Sequence, residues 1–171
     1  NAFCLMAELG LRPTEVNQLI VKKDPTTKDF YWFCTYAKKG GGGTTEPRRI
    51  EPLPLLDRDG KEVQWNLIDR FRANLLPLPD RVDGDACKVY LQRREGWKQL
   101  KEMMKKKEGA NLVPYSFRHY YSLRGHIAGI DSGSMASSMG HSIEAHHRAY
   151  PYSSKASTTN AFKQARERLT A

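Results

Sequence analysis

Five residues of this chain are of types that together can break a phosphodiester without a metal ion: Arg12, a lysine at 38 or 39, Arg118, His141 and Tyr150. A tyrosine attacks phosphorus as its phenolate. With a pKa of about 10, only about one phenol in a thousand is ionised at neutral pH, so some group must take the proton as attack proceeds. The five-coordinate phosphorane carries extra negative charge on its non-bridging oxygens, and two guanidiniums can grip these through bidentate, charge-assisted bonds. Arg12 and Arg118 suit that clamp, His141 adds a further donor or a base, and the lysine can give a proton to the departing 5′ oxygen.

The elements must bring these residues together from distant parts of the chain. His141 precedes Tyr150 by nine positions, and Pro151 follows at once. On an unbroken helix nine residues make about two and a half turns, which puts the two side chains on opposite faces. A helix that ends before Pro151, whose predecessor is pushed out of the helical region, lets them converge. This predicts Tyr150 at a helix exit, its hydroxyl presented rather than buried and its ring free to swing. Arg12 lies in Gly10-Leu11-Arg12-Pro13-Thr14-Glu15-Val16, where Gly10 ends one helix, Pro13 suits the first position of the next and Glu15 its positive N-terminus. Val16, Leu19 and Ile20 form the inward stripe of that second helix.

The remaining pattern predicts an α+β fold that is mainly α-helical, with a small antiparallel β-sheet and hairpin. A first helix covers 2–9, and strands are expected near 21–23, 29–39 and 48–53, with Gly40 to Gly43 as a mobile hairpin tip that could carry Lys38 or Lys39 into a site. Amphipathic helices are expected over 61–76 and, as one continuous element, 86–107, the second with Trp97, Leu100 and Met104 on one side. A helix after Pro114 holds Arg118 in its first turn, and a short one covers 132–139. A charged helix over 160–169 follows a polar tether at 153–159.

Charge narrows the partner. Lys and Arg number 28 against 19 Asp and Glu, a formal net charge of +9, which points to a polyanion such as nucleic acid. No apolar run approaches the roughly 18 residues of a membrane span and no signal peptide opens the sequence, which leads to the expectation of an intracellular, DNA-associated protein. Cys4, Cys34 and Cys87 have no close spacing and suit reduced, mostly buried thiols. His141, His146 and His147 lack the acidic or cysteine partner that completes a familiar metal spacing, so neither metal nor cofactor is expected.

These residues also match a family pattern. Gly-Leu-Arg-Pro-Thr-Glu-Val at 10–16 resembles the first arginine box of the tyrosine recombinases (phage integrases). Ser-Phe-Arg-His at 116–119 resembles the second, and Met-Gly-His-Ser at 139–142 with a tyrosine nine past the histidine resembles the third. The boxes fall in the family's order, and the resemblance spans residues 1–155. It implies a catalytic domain that cleaves and rejoins double-stranded DNA through a 3′-phosphotyrosine link, without a high-energy cofactor, as a tetramer on DNA and a monomer when free. By this resemblance Arg12 and Arg118 form the phosphate clamp, Tyr150 is the nucleophile, His141 a hydrogen-bond donor, Glu15 the acidic support beside the first arginine, and Lys39, chosen over Lys38, the hairpin lysine. Residues 156–171 would be a tethered C-terminal helix of the kind the family exchanges between subunits. The family's upstream DNA-gripping domain is expected to be cut away, which implies weak, steeply salt-dependent DNA binding.

One position departs from the family. Where a histidine commonly stands three residues before the second arginine, this chain has Tyr115, a phenol that can donate to phosphate but is a poor base at neutral pH. Proton removal from Tyr150 is therefore expected to depend less on position 115 than usual. Two other readings share much of the pattern: a type IB topoisomerase, similar in residues and first step, and a DNA-binding module without catalysis. A metal-dependent nuclease is disfavoured, since no carboxylate cluster is evident.

Overall fold

The computed structural model describes residues 1–39, 44–150, 162–163, 165–167 and 169–170. It is mainly helical with one small three-stranded antiparallel sheet, as the sequence predicts. Helix α1 spans Ala2–Leu9 and ends on Gly10 in the left-handed conformation, φ 65°. A Cβ at Gly10 would lie 2.3–2.8 Å from the ring of Tyr121, so two constraints meet there: the turn needs a positive φ and the ring needs the space. A 3-10 turn, Pro13–Gln18, takes the place of the second helix, with Arg12 as its N-cap. It runs straight into strand β1, Leu19–Lys23, which pairs with β2, Phe30–Cys34, and β2 in turn with β3, Arg48–Ile50.

This early entry into the sheet corrects one expectation. Leu19 is buried, but Ile20 is 41% exposed, because side chains alternate along a strand and the helical stripe does not extend to it. The sheet packs against α1 and the Pro13–Gln18 turn through Leu5, Met6, Leu9, Val16, Trp32 and Ile50, all buried. Burial of each non-aromatic side chain among these is worth about 1.5–3 kcal/mol, so this core is the platform on which the rest is mounted.

Helix α2 is a short element, Leu67–Arg72, entered through Asn66 in the left-handed region; residues 61–66 are not helical. The helix predicted over 86–107 is two helices, α3 Gly84–Gln92 and α4 Glu95–Glu108. The apolar phase explains the break. Cys87 and Leu91 are buried in α3, but the same stripe continued would fall on Arg94, Glu95 and Lys98. Extended Arg94 resets the phase so that Trp97 can stack on Phe117, with ring centroids 5.8 Å apart.

Helix α5, Ser116–Ile127, crosses α1, and Arg124 ties the two by donating to the Ala7 carbonyl at 2.7 Å. Helix α6, Ser132–Met139, is capped by Asp131, which accepts from Ser134 N at 2.9 Å, and ends on left-handed Gly140. Helix α7, Ile143–Ala149, follows at once, capped by Ser142. Tyr121, Met135, Met139 and Tyr150 form a second small core between α5, α6 and the end of α7. Cys34 and Cys87 are buried, Cys4 is half-buried, and none is in a disulfide. Residues 162–163, 165–167 and 169 are helical, with Phe162 and Leu169 exposed, whereas the tether and the hairpin tip at Gly40 to Gly43 lie outside the described residues. Among the described residues no helix is long and apolar enough to cross a membrane.

Candidate active site

The site is built where the C-terminal end of α6 meets the joint between α1 and the Pro13–Gln18 turn. A helix end leaves carbonyls without intrahelical partners and a partial negative charge, and arginines satisfy both. Arg48, from β3, donates through Nε to the Ser138 carbonyl at 2.8 Å and through Nη2 to the Met139 carbonyl at 3.1 Å. Arg118 donates to the carbonyls of Met139 and Gly10. Arg12 reaches the Gly140 carbonyl at 3.2 Å.

Glu15 holds the three together. It is fully buried and accepts from Arg12 Nη1 at 2.7 Å, Arg48 Nη2 at 2.9 Å and the backbone N–H of Arg12 at 2.8 Å, and it pairs with Arg118 Nη1 at 3.5 Å. Burial alone would raise the pKa of this carboxyl; the guanidiniums of Arg118, Arg48 and Arg12, with the Arg12 N–H, outweigh it and hold the group below the usual carboxylate range. Three guanidiniums face one carboxylate, so two positive charges stay uncompensated in a largely dry site. Arg48 Nη1 and Arg118 Nε are buried donors with no hydrogen-bond partner among the described residues. Guanidinium donors of this kind can form charge-assisted bonds to an anion.

His141 is joined to this cluster. Arg118 Nη2 donates to its Nε2 at 2.7 Å, and because arginine has no acceptor, Nε2 must present its lone pair. Burial first, then Arg118, Arg12, His146 and Arg48, push the His141 pKa down to about 3. The imidazole is therefore neutral at pH 7 and carries its hydrogen on Nδ1, another buried donor with no partner among the described residues.

Tyr150 sits at the exit of α7, as the sequence predicts, with α7 lying wholly between it and His141. Its ring stacks on that of His141, centroids 6.2 Å apart, and touches those of His119 at 5.4 Å and His146 at 4.7 Å. The expectation of a hydroxyl presented to solvent is corrected here: Tyr150 is 0% exposed. Its ring is large and apolar, and the gap beside Met135, Met139 and Tyr121 takes it in. Tyr115 is half-buried at the rim, edge-on to His119 at 5.1 Å and with the Arg118 Cζ 5.9 Å from its ring centroid.

The structure thus assembles Arg12, Glu15, Arg118, His141 and Tyr150 in one place and sets Tyr115 at its edge. Lys39 is exposed and makes no described contact with the cluster. Lys38 pairs with Thr45 through both backbone hydrogen bonds at 2.9 Å, and Thr45 donates through Oγ1 to the Gly140 carbonyl at 3.3 Å, so the base of the hairpin is anchored beside the site. Arg48 and His146 are members of the site that the sequence reading passed over. A neighbouring signal existed for Arg48: it lies two residues before the apolar Ile50, and on a short strand such a pair shares one face.

Among the described residues no group of three or more His, Cys, Asp or Glu is placed to hold a metal ion. Comparison with protein-family models, curated proteins and solved structures finds no match to this chain.

Proposed function

We propose that this chain is the catalytic domain of an integrase-type, site-specific DNA recombinase that cleaves and rejoins strands through a 3′-phosphotyrosine intermediate. The observation that carries this reading is the gathering of Arg12, Arg48 and Arg118 around Glu15, with unspent donors, beside His141 and the phenol of Tyr150. Four separate segments contribute these groups, and each has a task in one reaction. The guanidiniums hold the scissile phosphate and stabilise the charge that grows on its oxygens. Neutral His141 donates its Nδ1–H to one of those oxygens. Tyr150 attacks phosphorus, the 5′ oxygen departs with a proton from Lys39 on the hairpin, and the bond energy stays in the phosphotyrosine ester. Reversal with the 5′ hydroxyl of another strand completes exchange, on two duplexes held by four copies of the domain.

The net charge of +9 supports a polyanionic duplex as substrate. The test is covalent trapping on a pool of nicked duplex oligonucleotides of randomised sequence, read on a denaturing gel without added metal. A protease-sensitive adduct lost in Tyr150→Phe is the expected result. Equal adduct formation by Tyr150→Phe contradicts the reading.

A further inference from the structure

The proposed reaction draws the proton of the departing 5′ oxygen from the hairpin, and the hairpin carries two adjacent lysines, Lys38 and Lys39. The resemblance selects Lys39. The pairing at the hairpin base selects between them on different grounds. Lys38 and Thr45 exchange both backbone hydrogen bonds at 2.9 Å, so they are directly opposed in an antiparallel pair. The side chains of such a pair stand on the same face, with Cβ atoms about 4.5–5.5 Å apart. Successive side chains of an extended strand point to opposite faces, so Lys39 stands on the other one.

Thr45 shows which face is turned to the site. It is buried, and its Oγ1 donates to the Gly140 carbonyl at 3.3 Å. The same carbonyl accepts from Arg12 Nη2 at 3.2 Å, and His141 follows it directly in the chain. One acceptor thus gathers the hairpin, an arginine of the clamp and the turn that carries the histidine. Lys38 shares the face of Thr45 and projects on the side of the arginine cluster, whereas Lys39 projects away from it. Further along the returning segment, Arg48 Nε donates to the Ser138 carbonyl and the Glu51 N–H to Ser138 Oγ at 3.3 Å. The segment is therefore held to the end of α6 at several points, and Thr45 is the one paired with a lysine.

The geometry points to Thr45 as a positioning residue: its hydroxyl, bonded to the Gly140 carbonyl, holds its cross-strand partner Lys38, in place of Lys39, as the donor of the proton to the 5′ oxygen. This assignment rests on the proposed function. Starting from the Tyr150 phenolate, the O–P bond forms as the P–O5′ bond breaks. The electron pair of the broken bond takes a proton from Lys38 Nζ, and the ammonium becomes an amine. In rejoining, the 5′ hydroxyl returns that proton to the amine as its oxygen attacks phosphorus and the phenolate leaves. A lysine has three donors on a flexible four-carbon stem, so its reach is useful only if the backbone that carries it is fixed. The Thr45 hydroxyl supplies that fixed point.

The test compares adduct formation on two pools of duplexes with randomised sequence around one linkage. In one pool that linkage is an ordinary phosphodiester. In the other, sulfur replaces its 5′ bridging oxygen and departs as a thiolate, which needs no proton. Lys38→Ala should lower the adduct rate about 100-fold on the oxygen pool and leave it near wild type on the sulfur pool. Lys38 is exposed, so this variant carries the test alone if a substitution at the buried Thr45 does not fold. Thr45→Val keeps the shape and removes the hydroxyl; its rate should fall about tenfold on the oxygen pool alone, because the donor is misplaced and the clamp is not. Thr45→Ser, which restores a hydroxyl, should recover the oxygen-pool rate. A larger oxygen-specific loss in Lys39→Ala than in Lys38→Ala overturns the choice of lysine. Equal losses on both pools in Thr45→Val, or no loss in either, overturn the positioning role. No adduct from the wild type on either pool, or one that survives Tyr150→Phe, overturns the proposed function itself, and this assignment with it.

Discussion

Arg118 Nη2 lies 2.7 Å from Nε2 of His141, and the direction of that bond fixes the chemistry of the histidine. Arginine can only donate, so His141 is a neutral imidazole with its hydrogen on Nδ1. Under the proposed function that leaves it the role of a donor to phosphate rather than a base.

Neutral His141 should be visible in solution. Its pKa of about 3 predicts no titration between pH 5 and 8 in heteronuclear NMR, with the Nδ1–H tautomer seen throughout. A His141 resonance that titrates near 6.5 would contradict the Arg118 contact.

The same depression has a consequence for stability. His119, His126, His141 and His146 all have pKa values lowered in the folded chain, burial being the first cause for each. Below about pH 6.5 the unfolded state binds more protons at these sites than the folded state does. Stability should therefore be full above pH 7 and fall as pH drops through 6 toward 4. Urea denaturation from pH 8 to 5 checks this, and the His141→Gln and His146→Gln pair should flatten the slope.

Glu15 adds a second acid-sensitive contribution at lower pH. Its folded pKa is depressed, so its stabilisation is present above the unfolded value of about 4.3 and is lost as pH falls through the folded one. Glu15→Gln leaves three guanidiniums facing one another and should cost about 3–5 kcal/mol in urea denaturation at pH 7. Added sulfate should restore part of that loss by screening the arginines from one another.

Gly140 is where helix geometry and the arginine cluster meet. It has φ 67°, and a Cβ there would lie 2.6–2.8 Å from the guanidinium of Arg48. Gly140→Ala should cost about 1–2 kcal/mol in backbone strain alone. It should also displace Arg48 and reduce adduct formation in a protein that still folds. Adduct yield equal to wild type would show Arg48 to be dispensable.

How much of this could be read beforehand differs by element. Helix α6 was legible to the residue, because Asp131 and Gly140 mark its two ends. Arg12, Arg118, His141 and Tyr150 stood out because their types share one chemistry. The break between α3 and α4 was written in the apolar phase, though a run of helix formers obscured it. The partners of Arg48 and His146 were not legible, since they arise from tertiary meetings, of β3 with the end of α6 and of α7 with α5. The burial of Tyr150 depends on the space left by Met135 and Met139, which no local pattern encodes.

The central claim is that Tyr150 forms the covalent bond to DNA. The direct measurement is mass mapping of the adduct after nuclease and tryptic digestion. The relevant peptide, residues 149–155, also contains Tyr152, so fragmentation must separate the two. A nucleotide joined through its 3′ phosphate to Tyr150 is the expected result. The same mass on Tyr152 or on another residue, or a 5′ linkage, would contradict the account.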